Sequence, residues 1–272
     1  MAVTMADISK LRTMTGAGMM DCKNALNESE GDFEKAIEII RKKGQATAAK
    51  RSDREASEGC VLAATEGGFA AVLALKCETD FVAKNADFVA LTKSILDVAI
   101  ASKPATLAEL LALTIDGRAI SEVITDRSGI TGEKMELDYY EFVQGGTTAA
   151  YIHPGNKLAT LVAVAEEGID PQVVRDVAMQ AAAMNPVSLD RNSVPQKVID
   201  TELEIGREKA REEGKPENML DKIAQGRLNK FFQESTLLEQ SFIKDGKITV
   251  ADYLKTNKAT AIAFKRVTLN QE

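Results

Sequence analysis

A motif of two short apolar strands, a glycine turn between them and an amphipathic helix after them occurs twice in this chain. That repetition constrains the fold more than any other feature. Cys60 to Thr65 and Phe69 to Lys76 have the texture of strands, with Glu66, Gly67 and Gly68 as the turn. The helix that follows carries Phe88, Leu91, Ile95 and Val98 on one stripe, and Pro104 lies beyond its end. The pattern returns at Thr147 to Ile152 and Leu158 to Ala165, joined around Pro154, Gly155 and Asn156. A helix over 171–184 then carries Val174, Val177, Ala178 and Ala181, with Pro186 just after it. We read this as an internal duplication of a strand–strand–helix unit. Each copy has an apolar sheet face that its own helix can cover, so the expected class is α+β with antiparallel sheets.

The rest of the chain is arranged around these copies. Residues 4 to 44 read as three short helices: Ile8, Leu11 and Met14 share a face of the first, and Thr15 and Gly16 end it. Met19, Ala25 and Leu26 face inward from the second. Asp32 is placed to cap the third, where Phe33, Ala36, Ile37 and Ile40 recur at helical spacing, and Gly44 is expected to stop it. Between the copies, helices near Thr106–Leu113 and Ile120–Thr125 and a strand at Glu136–Val143 are expected. Residues 195 to 232 are charge-rich and helical with a break at Gly214-Lys215-Pro216, which predicts an antiparallel helical hairpin. Val198, Leu203, Leu220, Leu228 and Phe231 exceed what two helices need for each other, so the hairpin is also expected to support contact between subunits. A helix at Val250–Leu254 and a strand at Ala261–Leu269 that rejoins a sheet close the chain. The expected divisions are 1–54, 55–145, 146–190, 191–240 and 241–272.

Composition narrows the function classes. No apolar run approaches the ~20 residues needed to span a bilayer, and Met1 to Lys10 holds no apolar block suited to secretion. A soluble, cytoplasmic protein is expected. The net charge of −7 argues against bulk nucleic acid as the main partner. The basic stretch from Arg41 to Arg54 lacks interleaved aromatics and reads as a helix end plus linker. Cys22, Cys60 and Cys77 form no CxxC pair, which signals neither zinc nor a redox dithiol. There is no GxxxxGK[ST] loop and no GxGxxG after a strand. His153 is the only histidine and sits at a predicted hairpin turn, so paired-His metal sites are excluded. No catalytic group, cofactor or metal site is expected, and the pattern leans towards binding.

Particular segments carry a resemblance. Thr15-Gly16-Ala17-Gly18-Met19-Met20-Asp21-Cys22-Lys23-Asn24-Ala25-Leu26 resembles the N-terminal module of the elongation factor Ts family, a three-helix, ubiquitin-associated-like domain. Cys77-Glu78-Thr79-Asp80-Phe81-Val82-Ala83-Lys84 is similar to the family's TDFVA signature. Tyr151-Ile152-His153, Gly155-Asn156-Lys157-Leu158 and the strand Leu161–Val164 match a third stretch. The segment with Glu213-Gly214-Lys215-Pro216 and Gly226-Arg227-Leu228-Asn229-Lys230-Phe231 resembles the family's coiled-coil dimerisation insert. The four stretches occur in family order along almost the whole chain.

The resemblance implies a guanine nucleotide exchange factor without an active site of its own. Members bind elongation factor Tu, displace its magnesium and weaken its hold on GDP. The positions of Thr79, Asp80, Phe81 and Val82 perform the displacement, with the phenylalanine as a wedge. Lys23, with Met19 and Met20, falls in the module that docks on the GTPase, and His153 matches a partner-facing position. A homodimer or a two-to-two complex with the GTPase is also implied. Two departures stand out: Pro154 replaces the commoner glycine, and the chain given stops at Gln271-Glu272, where the longest members continue into a further helix.

The residues alone allow blander roles. Asp80 could cap a helix, and Phe81 lies seven residues before Phe88, the spacing of one helical stripe. Alternatively, Asn85 or Asp87 caps the long helix and leaves Phe81 on the preceding loop. Lys23 reads equally as a solvated lysine. Apart from exchange, the N-terminal helices could bind ubiquitin-like folds with the remainder as scaffold.

Overall fold

The computed structural model describes residues 3–270. Gln271 and Glu272, on which the expectation about the chain's end falls, lie outside them. Thr4 opens helix α1 (Met5–Thr15) through a reciprocal cap with Asp7, and Gly16 closes it in the left-handed region. Helix α2 (Met19–Glu28) follows, and Asp32 then caps α3 (Phe33–Lys50) by accepting from the amides of Glu34 and Lys35. Ile8, Leu11, Cys22, Ala25, Leu26, Ala36 and Ile40 form the buried core of these three helices.

Helix α3 does not stop at Gly44. It continues for six further residues, because Gly44 serves a close approach rather than a termination. The partner is Gly129 in helix α7 (Ile120–Thr131). A Cβ added at Gly129 would stand 2.1 Å from the Gly44 Cα, so the two helix backbones touch where neither carries a side chain. Beside this contact, the Asp126 carboxylate lies 2.6 Å from the Arg118 guanidinium and 3.7 Å from that of Arg41.

Strands β1 (Glu58–Glu66) and β2 (Phe69–Cys77) make the first hairpin. They lead through the one-turn helix α4 (Asp80–Ala83) to α5 (Ala86–Ser102), on which Phe88, Leu91, Ile95 and Leu96 are buried. Helix α6 (Leu107–Ala112) precedes a two-stranded ribbon, β3 (Thr114–Ile115) and β4 (Arg118–Ala119). Sequence reasoning passed over that ribbon, although Asp116-Gly117 carries the hairpin signature. Both residues have positive φ, 50° and 76°, as a type I′ turn requires. Strand β5 (Met135–Gln144) then lies beside β2.

The second copy begins with β6 (Thr147–Ile152) and β7 (Leu158–Val164), which pair antiparallel from Thr147 with Val164 to Ile152 with Ala159. Helix α8 (Pro171–Met184) starts with Asp170 as cap and Pro171 in its first turn. Helices α9 (Gln196–Glu212) and α10 (Leu220–Ser235) form the hairpin. The short connection over 213–219 turns the chain back so that the helices run antiparallel, Gly206 lying against Ala224, and ion pairs Arg207–Asp221 and Glu213–Arg227, both 2.7 Å, tie the two together. Leu220 and Leu228 are consumed within the hairpin, leaving Val198, Ile199, Leu203 and Phe231 half-buried. A second unforeseen ribbon, β8 (Ser241–Phe242) with β9 (Asp245–Thr249), turns at Ile243-Lys244. Helix α11 (Val250–Thr256) and strand β10 (Ala261–Thr268) finish the fold. As expected, β10 rejoins a sheet, pairing antiparallel with β7.

The two main sheets have the orders β1-β2-β5 and β10-β7-β6. In each, the second strand of the hairpin is central and a later strand joins its free edge. The class is α+β, with the strand–strand–helix unit duplicated as the sequence suggested. The chain divides into two compact units: residues 3–62, 73–141 and 269–270 in one, and 63–72 with 142–268 in the other. In the second unit, Val162, Val164, Val174, Val177, Ala178, Ala181, Leu237, Phe242 and Val250 share one core. Gln180 is wholly buried there and fully employed: its amide nitrogen donates to Gln240 Oε1 and Ser241 O, and its oxygen accepts from the Ile243 amide.

Candidate functional site

The first unit holds the segment from Cys77 to Asn85, between a central strand and a long helix. Strand β2 ends at Cys77, whose buried thiol donates to the Thr79 carbonyl at 3.2 Å. Burial foremost, with the Glu133 carboxylate adding to it, pushes this thiol up to about 12, so it stays protonated and inert at neutral pH. Thr79 is extended and caps α4 by accepting from the Val82 amide. Asp80 is therefore not the cap. It is the first helical residue and pairs with Lys84 at 2.6 Å, one turn on. Asn85 then breaks the helix with an extended backbone (φ −65°, ψ 133°) and caps α5 through the Asp87 amide.

This break decides the place of Phe81. A continuous helix would have put Phe81 on the stripe of Phe88; instead the two belong to different helices, Phe88 buried and Phe81 85% exposed. Phe81 sits on a single helical turn rather than the irregular loop that a cap at Asn85 suggested. Its neighbours are graded: Thr79, Asp80 and Val82 are half-buried and Ala83 is buried. The turn is thus rooted on one side and presents one large apolar side chain on the other. A lone exposed phenylalanine costs solvation without returning packing, which makes it a candidate contact rather than a core group.

A four-residue helix has too few internal hydrogen bonds to hold itself. Here the restraint comes from two carboxylates. Glu133 accepts from the amides of Glu78 (3.1 Å) and Thr79 (3.0 Å) and from the Thr79 hydroxyl (2.6 Å). In return Glu78 accepts from the Lys134 amide at 2.6 Å and from the Arg51 guanidinium at 3.1 and 3.3 Å. Sequence reasoning missed Glu133, and placed Arg51 only in the basic stretch at a helix end. They lie 54 and 28 positions from Thr79, and nothing in their spacing marks them.

The remaining expected site residues lie elsewhere. On α2, Met20 and Lys23 are exposed one turn apart, while Met19 is half-buried against the three-helix core. In the second unit, His153 is exposed at the turn between β6 and β7, and its Nδ1 is 3.0 Å from the Tyr151 hydroxyl. The turn itself suits Pro154. The Asn156 amide donates to the His153 carbonyl, and Gly155 at φ 94° takes the place a type II turn reserves for positive φ, with proline before it. Among the described residues there is no group of three His, Cys, Asp or Glu side chains able to hold a metal, and no helix long and apolar enough to cross a membrane.

Residues 78–271 match the pattern of the protein family described as Elongation factor TS. That span includes the Phe81 turn, His153 and the helical hairpin, but not α2. Whole-chain relatives cover the missing part. The chain is 63% identical over 275 residues to an Elongation factor Ts of Porphyromonas gingivalis, and 57% identical over 274 residues to one of Azobacteroides pseudotrichonymphae. It is 47% identical over 331 aligned residues to one of Phocaeicola vulgatus, and each comparison covers all of both chains. With the signature turn, the duplicated sheets and the inserted hairpin all present, the chain belongs to the elongation factor Ts family of translation elongation factors.

Proposed function

We propose that this protein binds elongation factor Tu in its GDP form, displaces the magnesium ion and so promotes release of GDP, acting by binding and not as an enzyme. The observation that supports this reading is the 85% exposure of Phe81 on a turn anchored from two directions. An exchange factor must bind the nucleotide-free GTPase more tightly than the loaded form, and that coupling is reciprocal. Each tenfold weakening of nucleotide requires about 1.4 kcal/mol of differential binding. Moving a phenylalanine side chain from water into an apolar slot supplies roughly 1.5–3 kcal/mol. That is enough for about tenfold to a hundredfold, provided the slot opens only in the displaced state. Magnesium demands near-octahedral geometry, so a small shift of its supporting elements weakens the phosphate site.

Within this reading Phe81 is the wedge, Thr79 and Asp80 fix the turn, and Val82 flanks the wedge. Met19, Met20 and Lys23 supply a second contact from α2, and His153 a third from the other unit. The hairpin α9–α10 joins two subunits, in a homodimer or a two-to-two complex with the GTPase. Its removal, residues 195–232, should shift sedimentation towards monomer.

The function is tested by following labelled GDP leave elongation factor Tu with and without this protein. Acceleration is expected, with no guanine nucleotide bound by the protein alone. Unchanged release at saturating protein would contradict the reading, and nucleotide binding by the isolated chain would point to an enzyme instead.

A further inference from the structure

We propose that Glu133 is a positioning residue for nucleotide exchange, fixing through the Glu78 and Thr79 backbone the turn that presents Phe81. The inference rests on the exchange function proposed above. Three donors converge on one carboxylate: the Glu78 amide, the Thr79 amide and the Thr79 hydroxyl. These groups immediately precede α4, a helix of one turn that cannot order itself. The Thr79 hydroxyl also accepts from the Val82 amide, so the restraint passes from Glu133 through Thr79 to the residue beside Phe81.

Glu133 is itself held from its own side of the contact. Its carbonyl accepts from the Ser128 hydroxyl at 2.5 Å and its amide donates to Thr131 Oγ1 at 3.3 Å. A fixed acceptor facing a short, otherwise weak turn is the arrangement that preorganises a side chain for binding. The second copy supplies a control within the same chain. There Glu166, just past strand β7, takes the Thr260 amide and hydroxyl at 2.7 Å each, the counterpart of Glu78 taking the Lys134 amide. Among the described residues of that link, no one-turn helix precedes α8. In the first copy the reciprocal carboxylate accompanies the exposed phenylalanine.

The test is a double-mutant cycle on the full chain, read as the maximal rate of GDP release from elongation factor Tu and as the half-saturating concentration. Glu133→Ala should lower the maximal rate about threefold to tenfold while changing the half-saturating concentration by less than about twofold. In a Phe81→Ala background it should produce no further loss, because both changes remove the same interaction. Amide exchange at Glu78 and Thr79 should speed up in Glu133→Ala while the α8 amides stay protected. If Glu133→Ala fails to fold, Glu133→Gln keeps the volume and one acceptor and should show the same non-additivity with a smaller loss. Full activity in Glu133→Ala, or an equal loss with and without Phe81, would overturn the positioning role while leaving exchange intact. If the unaltered protein does not accelerate release, the exchange function fails, and this role fails with it.

Discussion

The two strand–strand–helix copies share a strand order and a clasp but differ in the link between central strand and helix. In both, a glutamate just past the central strand accepts the amide of the residue before the third strand: Glu78 from Lys134, Glu166 from Thr260. In the second copy the chain then runs through Gly168 to the Asp170 cap and directly into α8. In the first, a one-turn helix intervenes and exposes Phe81, and Glu133 reciprocates the clasp. The lesson is that the duplicated part supplies the scaffold, while the distinctive surface sits where the copies depart from each other. Loops on a rigid frame commonly carry function for this reason.

The helices inserted before each third strand differ as well. Helix α7 meets α3 backbone to backbone at Gly129 and Gly44, whereas α9 and α10 pack on each other with ion pairs along the sides. Gly129→Ala places a Cβ 2.1 Å from the Gly44 Cα and should cost about 1–3 kcal/mol, as overpacking does. Urea unfolding should show the loss, and an unchanged midpoint would mean that the contact yields freely.

A smaller effect should separate the two clasps. Hydrogen bonds from Thr260, the side chain first and then the backbone, hold the Glu166 carboxyl below the usual glutamate range. A depressed folded value means that the stabilisation is present above the unfolded value and disappears as pH falls through the folded one. Glu166→Gln should therefore lower the melting temperature at pH 7, and the gap from the unaltered protein should close below about pH 4. GDP release per folded molecule should not change. A gap that persists in acid would show that the charge is not what stabilises this clasp. The smallest effect is expected in the hairpin. Gly226 is exposed within α10 with nothing near its missing Cβ, so Gly226→Ala should stabilise by about 0.5–1 kcal/mol. A loss would place a partner surface over that position.

Much of the scaffold was legible because its signals are local. Asp32 and Asn85 announce helix starts by side-chain chemistry, and the two hairpins announce themselves by apolar runs around glycine turns. What was not legible depends on residues distant in sequence. Gly44 looks like a stop until Gly129, 85 positions away, occupies the space beside it. Glu133 is one of many scattered carboxylates until the fold brings Thr79 to it. Phe81 sits between these cases: its spacing from Phe88 permitted one stripe, and only the extended backbone at Asn85 separates them. The turn at Asp116-Gly117 was readable and was passed over because its strands are so short.

The account rests on Phe81 as an exposed wedge rather than a core residue. The direct measurement pairs the rate of GDP release from elongation factor Tu, at saturating protein, with the thermal unfolding of Phe81→Ala. Removing an exposed side chain leaves no cavity, so the melting temperature should hold while stimulated release falls by at least about tenfold. Asp80→Ala, which loses the pairing with Lys84 within the turn but no apolar side chain, should reduce release less. The account is contradicted if Phe81→Ala melts early and exchanges nucleotide normally per folded molecule.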